Sequence, residues 1–503
     1  MTVNFKNIPQ NLRVPLFYAE LDNSMANSAQ VVQRALIIGQ ILESGTATPN
    51  VPVMSQGVGD AQTAGGAGSM IHLMTQAYRN IDTFGEVWYL PLSDAAESTA
   101  ATGTISVTTP PTAQGTISLY IGGVVVETPV MPTQTAAQIA TALQGAIAAT
   151  PNLPVSAAVA NTTVTLTAIN AGPCGNDIDL RLNYYGTSSG EVTPAGLTIA
   201  IAAMAGGAVA PTLTTALANL GDQTFDFIAC PYNDTTSLNA IQALLNDVSG
   251  RWSWDQQIYG QAFAANRGTV AAQTTLGEAR NDQHTSIMGF YDSPTPNWLW
   301  AAAEAAATAV SVRADPAAPL HQLALIGVLA PPLESRFDLT ERNTLLYDGI
   351  STFTVGDDGT VYVERMITTY QTNAYGQADD SYLKVETMYN LMYVIRALQT
   401  LVTSVYGAVK LAANGTRFGP GANAVTPNII RGSLIAKYTE LETGAFVQDS
   451  AGFAAALIVE QNAQNPNRVD VLYPATLINQ LDIFALLMQF RLNPAATAAT
   501  TTS

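Results

Sequence analysis

The chain contains 503 residues, with 20 basic and 38 acidic side chains and a formal net charge of −18 at pH 7. Only 12% of the residues are charged, and the lysines are scattered along the sequence, at Lys6, Lys384, Lys410 and Lys437. Because phosphate contacts require clustered cations, this composition excludes nucleic acid as a direct ligand.

The N-terminal residues 1–30 are predicted to form an extended arm. Pro9 and Pro15 disfavour a helix, and apolar residues alternate with strand periodicity between positions 12 and 18. Two interpretations remain open. The segment is either a strand outside any domain, or an edge strand of the chain's own first sheet.

Targeting and membrane-spanning segments are not indicated. Met1–Asn11 lacks the basic-then-apolar layout of a secretion signal. The longest apolar runs, such as Ala454–Val459, are far shorter than the roughly 20 residues that cross a bilayer. Cys174 and Cys230 lie in no CxxC motif, which excludes a disulfide framework. We therefore expect a soluble protein made in a cytoplasm, with no membrane partner.

Two stretches, 31–97 and 211–335, are predicted to form one α/β core domain. In the first, the apolar runs Ala35–Leu42 and Val87–Leu92 are typical of buried strands, and Ala61–Asn80 between them has helical periodicity. Strand and helix patterns alternate again in the second stretch. This alternation predicts a mainly parallel sheet covered by helices.

Residues 98–210 differ sharply in composition from the flanking core. They are rich in Thr, Ala, Gly and Val and nearly free of charge, with several short strand patterns and one amphipathic helix at Ala136–Ala149. Because surface loops tolerate insertions, we interpret this stretch as an inserted β-rich domain that faces outward.

Residues 336–475 are predicted to form an α+β domain. The β-branched runs Leu345–Val355 and Thr360–Tyr370 flank the turn Gly356–Gly359, which is a hairpin pattern. A long helix is predicted from Asp379 to Leu411, and a second helix follows it.

Residues 476–492 are predicted to be a strand without a partner in its own chain. Ile483–Phe490 is apolar and has neither the Lys nor the Pro that normally protects an exposed strand edge. We therefore expect another chain to complete it by strand addition. The Ala/Thr-rich tail at 493–503 is predicted to be disordered.

No motif indicates catalytic chemistry. Gly57–Asp60 precedes a helix but lacks the Gly-Lys-Ser/Thr of a phosphate loop. The only histidines, His72, His284 and His321, are far apart and have no ligand-spaced partners. We predict no catalytic residue, no cofactor and no metal.

Two other function classes remain as alternatives. The first is an α/β hydrolase-like enzyme with a β insert, which predicts a deep pocket with converging polar groups and a perturbed carboxylate or histidine. The second is a surface adhesin. The Thr/Ala-rich insert favours the adhesin, and the missing secretion signal disfavours it.

Several stretches resemble the tail sheath proteins of contractile phage tails, and the Mu-like branch most closely. They are Ile8–Pro15, Arg342–Thr352, the turn Gly356–Gly359, Val363–Tyr370 and Leu477–Leu492. The resemblance covers most of the chain, and the insert is its least family-specific part.

This resemblance implies a structural machine and not an enzyme. Sheath subunits form stacked six-fold rings around a tail tube, and contraction drives the tube through the host envelope. The implied partners are copies of the same chain, the tail tube protein, and the baseplate and tail terminator proteins. The implied location is the virion tail, assembled in the host cytoplasm.

Carried onto this sequence, the resemblance implies three groups of residues, with the domain at 336–475 facing the tube. The intersubunit arms are Leu12, Val14, Leu16, Phe17, Ile483, Phe484, Leu486, Met488 and Phe490. The receiving sheet is Ile350, Thr352, Phe353, Val363, Ile367, Leu457, Val459 and Val471. The candidate tube contacts are Arg431, Lys437 and Glu440.

Overall fold

The computed structural model describes residues 33–419, 421–490 and 492. The predicted N-terminal arm, with Leu12, Val14, Leu16 and Phe17, lies outside the described residues, as does the predicted tail at 493–503. No helix among the described residues is long and apolar enough to span a membrane.

The described chain alternates short strands with helices. The strands are β1 (Ala35–Gln40), β2 (Val53–Met54), β3 (Val87–Leu92), β4 (Thr102–Thr109), β5 (Gly115–Ile121), β6 (Val124–Val130), β7 (Val155–Ala160), β8 (Thr163–Ala168), β9 (Leu180–Leu182), β10 (Thr198–Ala205), β11 (Phe227–Ala229), β12 (Gln261–Arg267), β13 (Thr285–Phe290), β14 (Thr352–Val355), β15 (Val361–Arg365), β16 (Lys410–Leu411), β17 (Ala424–Val425), β18 (Val447–Gln448), β19 (Ile458–Gln461), β20 (Val469–Leu472) and β21 (Thr476–Leu477). The helices are α1 (Val58–Gly65), α2 (Met70–Arg79), α3 (Ala136–Ala149), α4 (Thr214–Ala218), α5 (Thr235–Leu245), α6 (Val270–Glu278), α7 (Asn297–Ala314), α8 (Leu339–Tyr347), α9 (Val385–Tyr406), α10 (Pro427–Thr443) and α11 (Ser450–Ala456).

Six strands form the central sheet, in the order β13-β12-β11-β1-β3-β2. All neighbours run parallel except β2, which pairs antiparallel with β3 at one edge. Every residue of β1 is buried, because helices cover both faces of a parallel sheet and leave no polar side. The Ala-rich helix α7 packs against β11 and β12, and α2 packs against α7. The predicted α/β character is confirmed.

The helix predicted at Ala61–Asn80 is two helices in the structure. Gly66 and Gly68 separate α1 from α2 with φ values of 90° and 77°, which disfavour any residue with a side chain. A Cβ on Gly68 would also lie 2.5 Å from the carbonyl oxygen of Leu153 in the insert. Ser69 then caps α2 by accepting a hydrogen bond from the His72 backbone N–H at 3.3 Å. The break allows the insert to approach the core closely.

The insert builds its own core from two antiparallel sheets and α3. One sheet has the order β10-β4-β8-β7 and the other β6-β5-β9. Their inward-facing residues form a hydrophobic cluster drawn entirely from residues 101–204. Thr99 and Ala208 pair through backbone hydrogen bonds of 3.1 and 3.2 Å, so the two ends of the insert lie side by side.

Because its core is separate, the segment comprising residues 98–210 is expected to fold alone. Circular dichroism and thermal melting of this fragment should show one cooperative transition. The matched variant Leu166→Asp, at a fully buried position, should abolish that transition. A fragment that melts without cooperativity would show that the insert depends on the central sheet.

Charged hydrogen bonds attach the insert to the core. Arg181 of the insert pairs with Asp292 at 2.9 Å. Arg267 of β12 donates to the carbonyl oxygen of Asp177 in the insert at 3.2 Å. Charge-assisted bonds of this kind are directional, so they fix how the insert sits on the core.

The strand predicted at Leu345–Val355 is wrong at its start, because residues 345–347 form the end of α8. Asp338 accepts from the Glu341 N–H at 2.8 Å, and Glu341 accepts from the Asp338 N–H at 2.8 Å, which is a capping box. This cap nucleates a helix that ends at Tyr347. The strand β14 begins only at Thr352.

Helix α9 joins two hydrophobic cores. Val385, Tyr389 and Met392 pack in the central core, whereas Val394 packs in a second cluster with α10 and the C-terminal hairpins. The helix runs from Val385 to Tyr406, shorter at both ends than the predicted Asp379–Leu411.

Candidate functional site

The C-terminal segment leaves the body of the protein after β21. Ile478 is still held, because its N–H donates to the carbonyl oxygen of Phe446 at 3.1 Å. From there to residue 490 the described chain contains no helix or strand. The strand predicted at Ile483–Phe490 therefore has no ladder within the described part of the chain.

The apolar side chains beyond Asp482 face solvent. Their exposed fractions range from 69% to 84%, at Ile483, Phe484, Leu486, Leu487, Met488 and Phe490. A soluble protein rarely leaves such a continuous apolar segment uncovered unless a partner covers it. We call residues 483–490 the C-terminal arm.

Asp482 anchors the root of this arm. Its carboxylate pairs with the Lys384 ammonium at 2.5 Å and with the Arg365 guanidinium at 3.1 Å. The two cations come from elements about a hundred residues upstream, so sequence reasoning did not find them. The sequence feature that indicates an anchor at this point is Asp482 itself, a single carboxylate directly before an apolar run.

A buried carboxyl lies next to this anchor. Glu386, in the first turn of α9, is 5% exposed, and its Oε2 has no hydrogen-bond partner among the described residues. Burial raises its pKa to about 7, although the nearby Lys384 and Arg365 charges lower it. The anchor therefore includes a group that titrates near neutral pH.

The predicted receiving sheet is not one sheet. The residues assigned to it lie in, or within two residues of, two separate two-stranded sheets, β14-β15 and β19-β20. Each sheet is a hairpin of two strands that are consecutive in the chain. The sequence pattern predicts such hairpins but does not indicate whether one hairpin pairs with the other.

The β14-β15 group is buried inside the subunit. Ile350, Thr352, Phe353, Val363 and Ile367 are each less than 10% exposed. Ile350, Phe353 and Val363 belong to the central hydrophobic core, so their side chains have partners within the chain.

The β19-β20 hairpin is the more open of the two. Ile458 is 49% exposed and Val471 44%, whereas Val459 is half-buried against the C-terminal cluster. Leu457 is buried and lies just before β19. Neither outer edge of this hairpin pairs with a strand in the described residues. It is therefore an available template for another strand.

The candidate tube contacts lie on α10 but differ in their surroundings. The Arg431 guanidinium donates to the carbonyl oxygens of Ala454 and Leu457, and so satisfies the C-terminal end of α11. Lys437 and Glu440 form an exposed ion pair at 2.7 Å. Only these last two side chains are free to face a partner.

The enzyme alternative required a pocket with converging polar groups. A cavity of about 400 Å³ lies between α8 and β14, lined in part by Phe337, Asp338 and Arg342. Asp338 caps α8, and Arg342 pairs with Glu364 at 2.8 Å, so both charges have structural partners. Outside the undescribed positions, no group of three or more His, Cys, Asp or Glu residues could hold a metal ion.

Comparison with known proteins identifies the family. The model of the phage tail sheath protein central domain matches residues 206–369, and that of the phage tail sheath C-terminal domain matches residues 377–491. The Mu-like prophage FluMu tail sheath protein of Haemophilus influenzae is 42% identical over 492 residues, covering 97% of this chain and 100% of that protein. The chain belongs to the phage tail sheath protein family.

The sheath protein is thus a structural tail component and not an enzyme. Neither domain model matches the residues before 206. The similarity to the Haemophilus protein covers 97% of the chain and so includes the insert. The resemblance to the Mu-like branch is confirmed at this level.

Two solved sheath proteins share much less sequence with this chain. The sheath tail protein of Desulfitobacterium hafniense is 14% identical, with a TM-score of 0.48, covering 93% of this chain and 97% of that one. The anti-feeding prophage helical sheath in its contracted state is 12% identical, with a TM-score of 0.45, covering 96% and 100%.

Proposed function

We propose that this sheath subunit polymerises as stacked six-fold rings around a tail tube, and that contraction drives the tube through the host envelope. The observation that carries the proposal is the exposed apolar arm at 483–490, whose root is fixed by Asp482. An arm with this composition needs cover, and a neighbouring subunit can provide it by strand addition.

The open edges of the β19-β20 hairpin are the proposed receiving site for arms of neighbours. One added strand forms only a few hydrogen bonds, each worth a net of about 1 kcal/mol. The partly exposed Ile458 and Val471 provide apolar surface for the side chains of the arm. Since every subunit both donates and receives, avidity multiplies this modest affinity across the lattice.

Contraction is proposed to move subunits largely as rigid bodies, with the arms as hinges. The residues before Asp482 stay attached to the body, so the hinge lies directly after it. The proposed partners are copies of the chain, the tail tube protein, and the baseplate and terminator proteins, with assembly in the host cytoplasm. Lys437 and Glu440 are the proposed side chains facing the tube.

Deleting residues 483–503 tests the proposal. The truncated chain is expected to melt at the same temperature as the full chain, because none of the described residues removed contributes a buried apolar side chain. It is expected to form no tubes by negative-stain microscopy. A deletion after Tyr473 would be less informative, because it also removes β21, which pairs with β18.

Deletion of residues 493–503 alone is the matched control and should leave tube formation intact. Tubes formed by the chain ending at Asp482 would contradict the proposed role of the arm. Loss of tubes together with a lowered melting temperature would trace the defect to folding, and this too would count against the proposal.

A further inference from the structure

The first described residue, Gln33, is held by an arginine of α7. The carbonyl oxygen of Gln33 accepts hydrogen bonds from Arg313 Nη2 at 2.8 Å and from Arg313 Nε at 3.2 Å. Arg313 lies in the last turn of α7. The chain that continues into the predicted N-terminal arm is therefore attached at the C-terminal end of this helix.

Arg313 is itself fixed by a buried carboxylate. Its Nη1 pairs with Asp82, which is 4% exposed and also accepts from the Tyr78 hydroxyl and the Gly85 N–H, each at 2.9 Å. Burial alone would raise the pKa of Asp82, but hydrogen bonding and charge from Arg313 bring it below its ordinary value. The ion pair of Arg313 and Asp82, which we call the clamp, therefore remains charged at neutral pH.

Gly85 leaves the space that this clamp occupies. A Cβ at this position would lie 2.0 Å from Arg313 Nη1 and 2.2 Å from Asp82 Oδ2. Both distances are shorter than van der Waals contact, so a side chain at this position would displace the ion pair from its observed geometry.

The root of the C-terminal arm reaches the same end of α7. The Gln480 side-chain amide donates to the carbonyl oxygen of Ala317 at 3.2 Å, and its oxygen accepts from Lys384 Nζ at 3.4 Å. Lys384 in turn pairs with Asp482. Ala317 follows Arg313 by four residues, a separation of at most about 14 Å.

We infer that residues 313–317 are a common anchor for both chain ends, with Arg313 and Asp482 as the residues that position the two arm roots. The inference rests on the proposed function, because the anchor matters only if both arms link subunits. Force applied to one arm is then transmitted to the other arm through the C-terminal end of α7, and not through the central sheet. The lattice stays connected while the body of each subunit rotates.

Distance measurement between two spin labels tests the anchor. The labels are placed by Gln33→Cys and Leu481→Cys in the full chain, the second at an exposed position directly before Asp482. Labelled protein is diluted into unlabelled protein so that only pairs within one chain are measured. The native Cys174 and Cys230 are buried and stay unlabelled. The parent should give one narrow distance distribution.

Arg313→Ala should widen this distribution, because the carbonyl oxygen of Gln33 loses both of its hydrogen bonds from Arg313. Asp482→Ala should also widen it, because residue 481 is then no longer followed by a residue held by two ion pairs. Asp482→Glu should restore the narrow distribution, because it keeps the charge. Arg431→Ala is the matched control, because Arg431 also donates to backbone carbonyl oxygens but contacts neither arm root. This variant should leave the distance distribution unchanged.

A broad distribution in the parent, or one that neither alanine variant changes, would overturn the inference. If Arg313→Ala does not fold, Asp482→Ala, which lies after the last strand of the described chain, still decides the outcome. The measurement does not require assembly, so its failure is distinguishable from failure of the proposed function, which the arm deletion reports.

Discussion

Replacing Arg396 by alanine is expected to lower the free energy of unfolding by about 3–5 kcal/mol. Arg396 of α9 makes two parallel hydrogen bonds to Asp226, at 2.8 and 2.7 Å, and Asp226 is fully buried. Without the guanidinium, the buried carboxylate loses its paired cation and both of the hydrogen bonds from it. Urea unfolding of the variant and the parent, followed by circular dichroism, measures the difference.

The effect should be large because this pair joins three parts of the protein. The Asp226 N–H donates to the carbonyl oxygen of Arg34 at 2.8 Å, next to the N-terminal root. Its carbonyl oxygen accepts from the Tyr389 hydroxyl at 2.9 Å. The central sheet, the chain leading to the N-terminal arm and the helix α9 therefore meet at one residue.

The control is Arg468→Ala, which removes an exposed ion pair with Asp470 and should cost no more than about 1 kcal/mol. In the double variant Arg396→Ala/Asp226→Ala, part of the loss should be recovered, because the carboxylate that lost its partner is also removed. Equal effects of Arg396→Ala and Arg468→Ala would show that the buried pair has no special role.

Much of the central fold could be predicted from local sequence. Residues 35–40 are apolar almost without interruption, and a strand covered on both faces needs that pattern and no other information. The helix Ala136–Ala149 of the insert was also predicted with its observed bounds. In both cases the pattern and the final environment agree.

Predictions failed where the outcome depended on a specific local contact or on distant partners. The capping box of Asp338 and Glu341 starts a helix that extends to Tyr347, into the first three residues of the predicted strand. The partner of Arg396 lies 170 residues away, and no periodicity indicates it. The C-terminal arm was recognisable from its composition, but its anchor at Arg365 and Lys384 depends on how the chain folds.

A second large effect is expected at Glu304, whose replacement by glutamine should stabilise the protein at neutral pH. Glu304 lies in the middle of α7, is fully buried, and neither carboxyl oxygen has a hydrogen-bond partner among the described residues. An isolated buried charge is too costly to maintain, so burial raises its pKa well above the ordinary value. The folded protein holds this carboxyl neutral.

The direction of the pH dependence follows from proton binding. In the unfolded chain Glu304 releases its proton above its ordinary pKa of about 4.3, whereas the folded chain retains it. The unfolded state then binds fewer protons, so the stability due to this group is fully present at acid pH. That stability falls by about 1.4 kcal/mol per pH unit until the raised folded pKa is reached.

Glu304→Gln should therefore match the parent near pH 4 and exceed it progressively as the pH rises, since a neutral amide has no proton to lose. Urea unfolding at several pH values measures the divergence. Glu440→Gln, at an exposed ion-paired position, is the matched control and should leave the pH profile nearly parallel to that of the parent. Parallel profiles for Glu304→Gln would mean that the carboxyl of Glu304 is charged in the folded protein, which would require a partner that stabilises its negative charge.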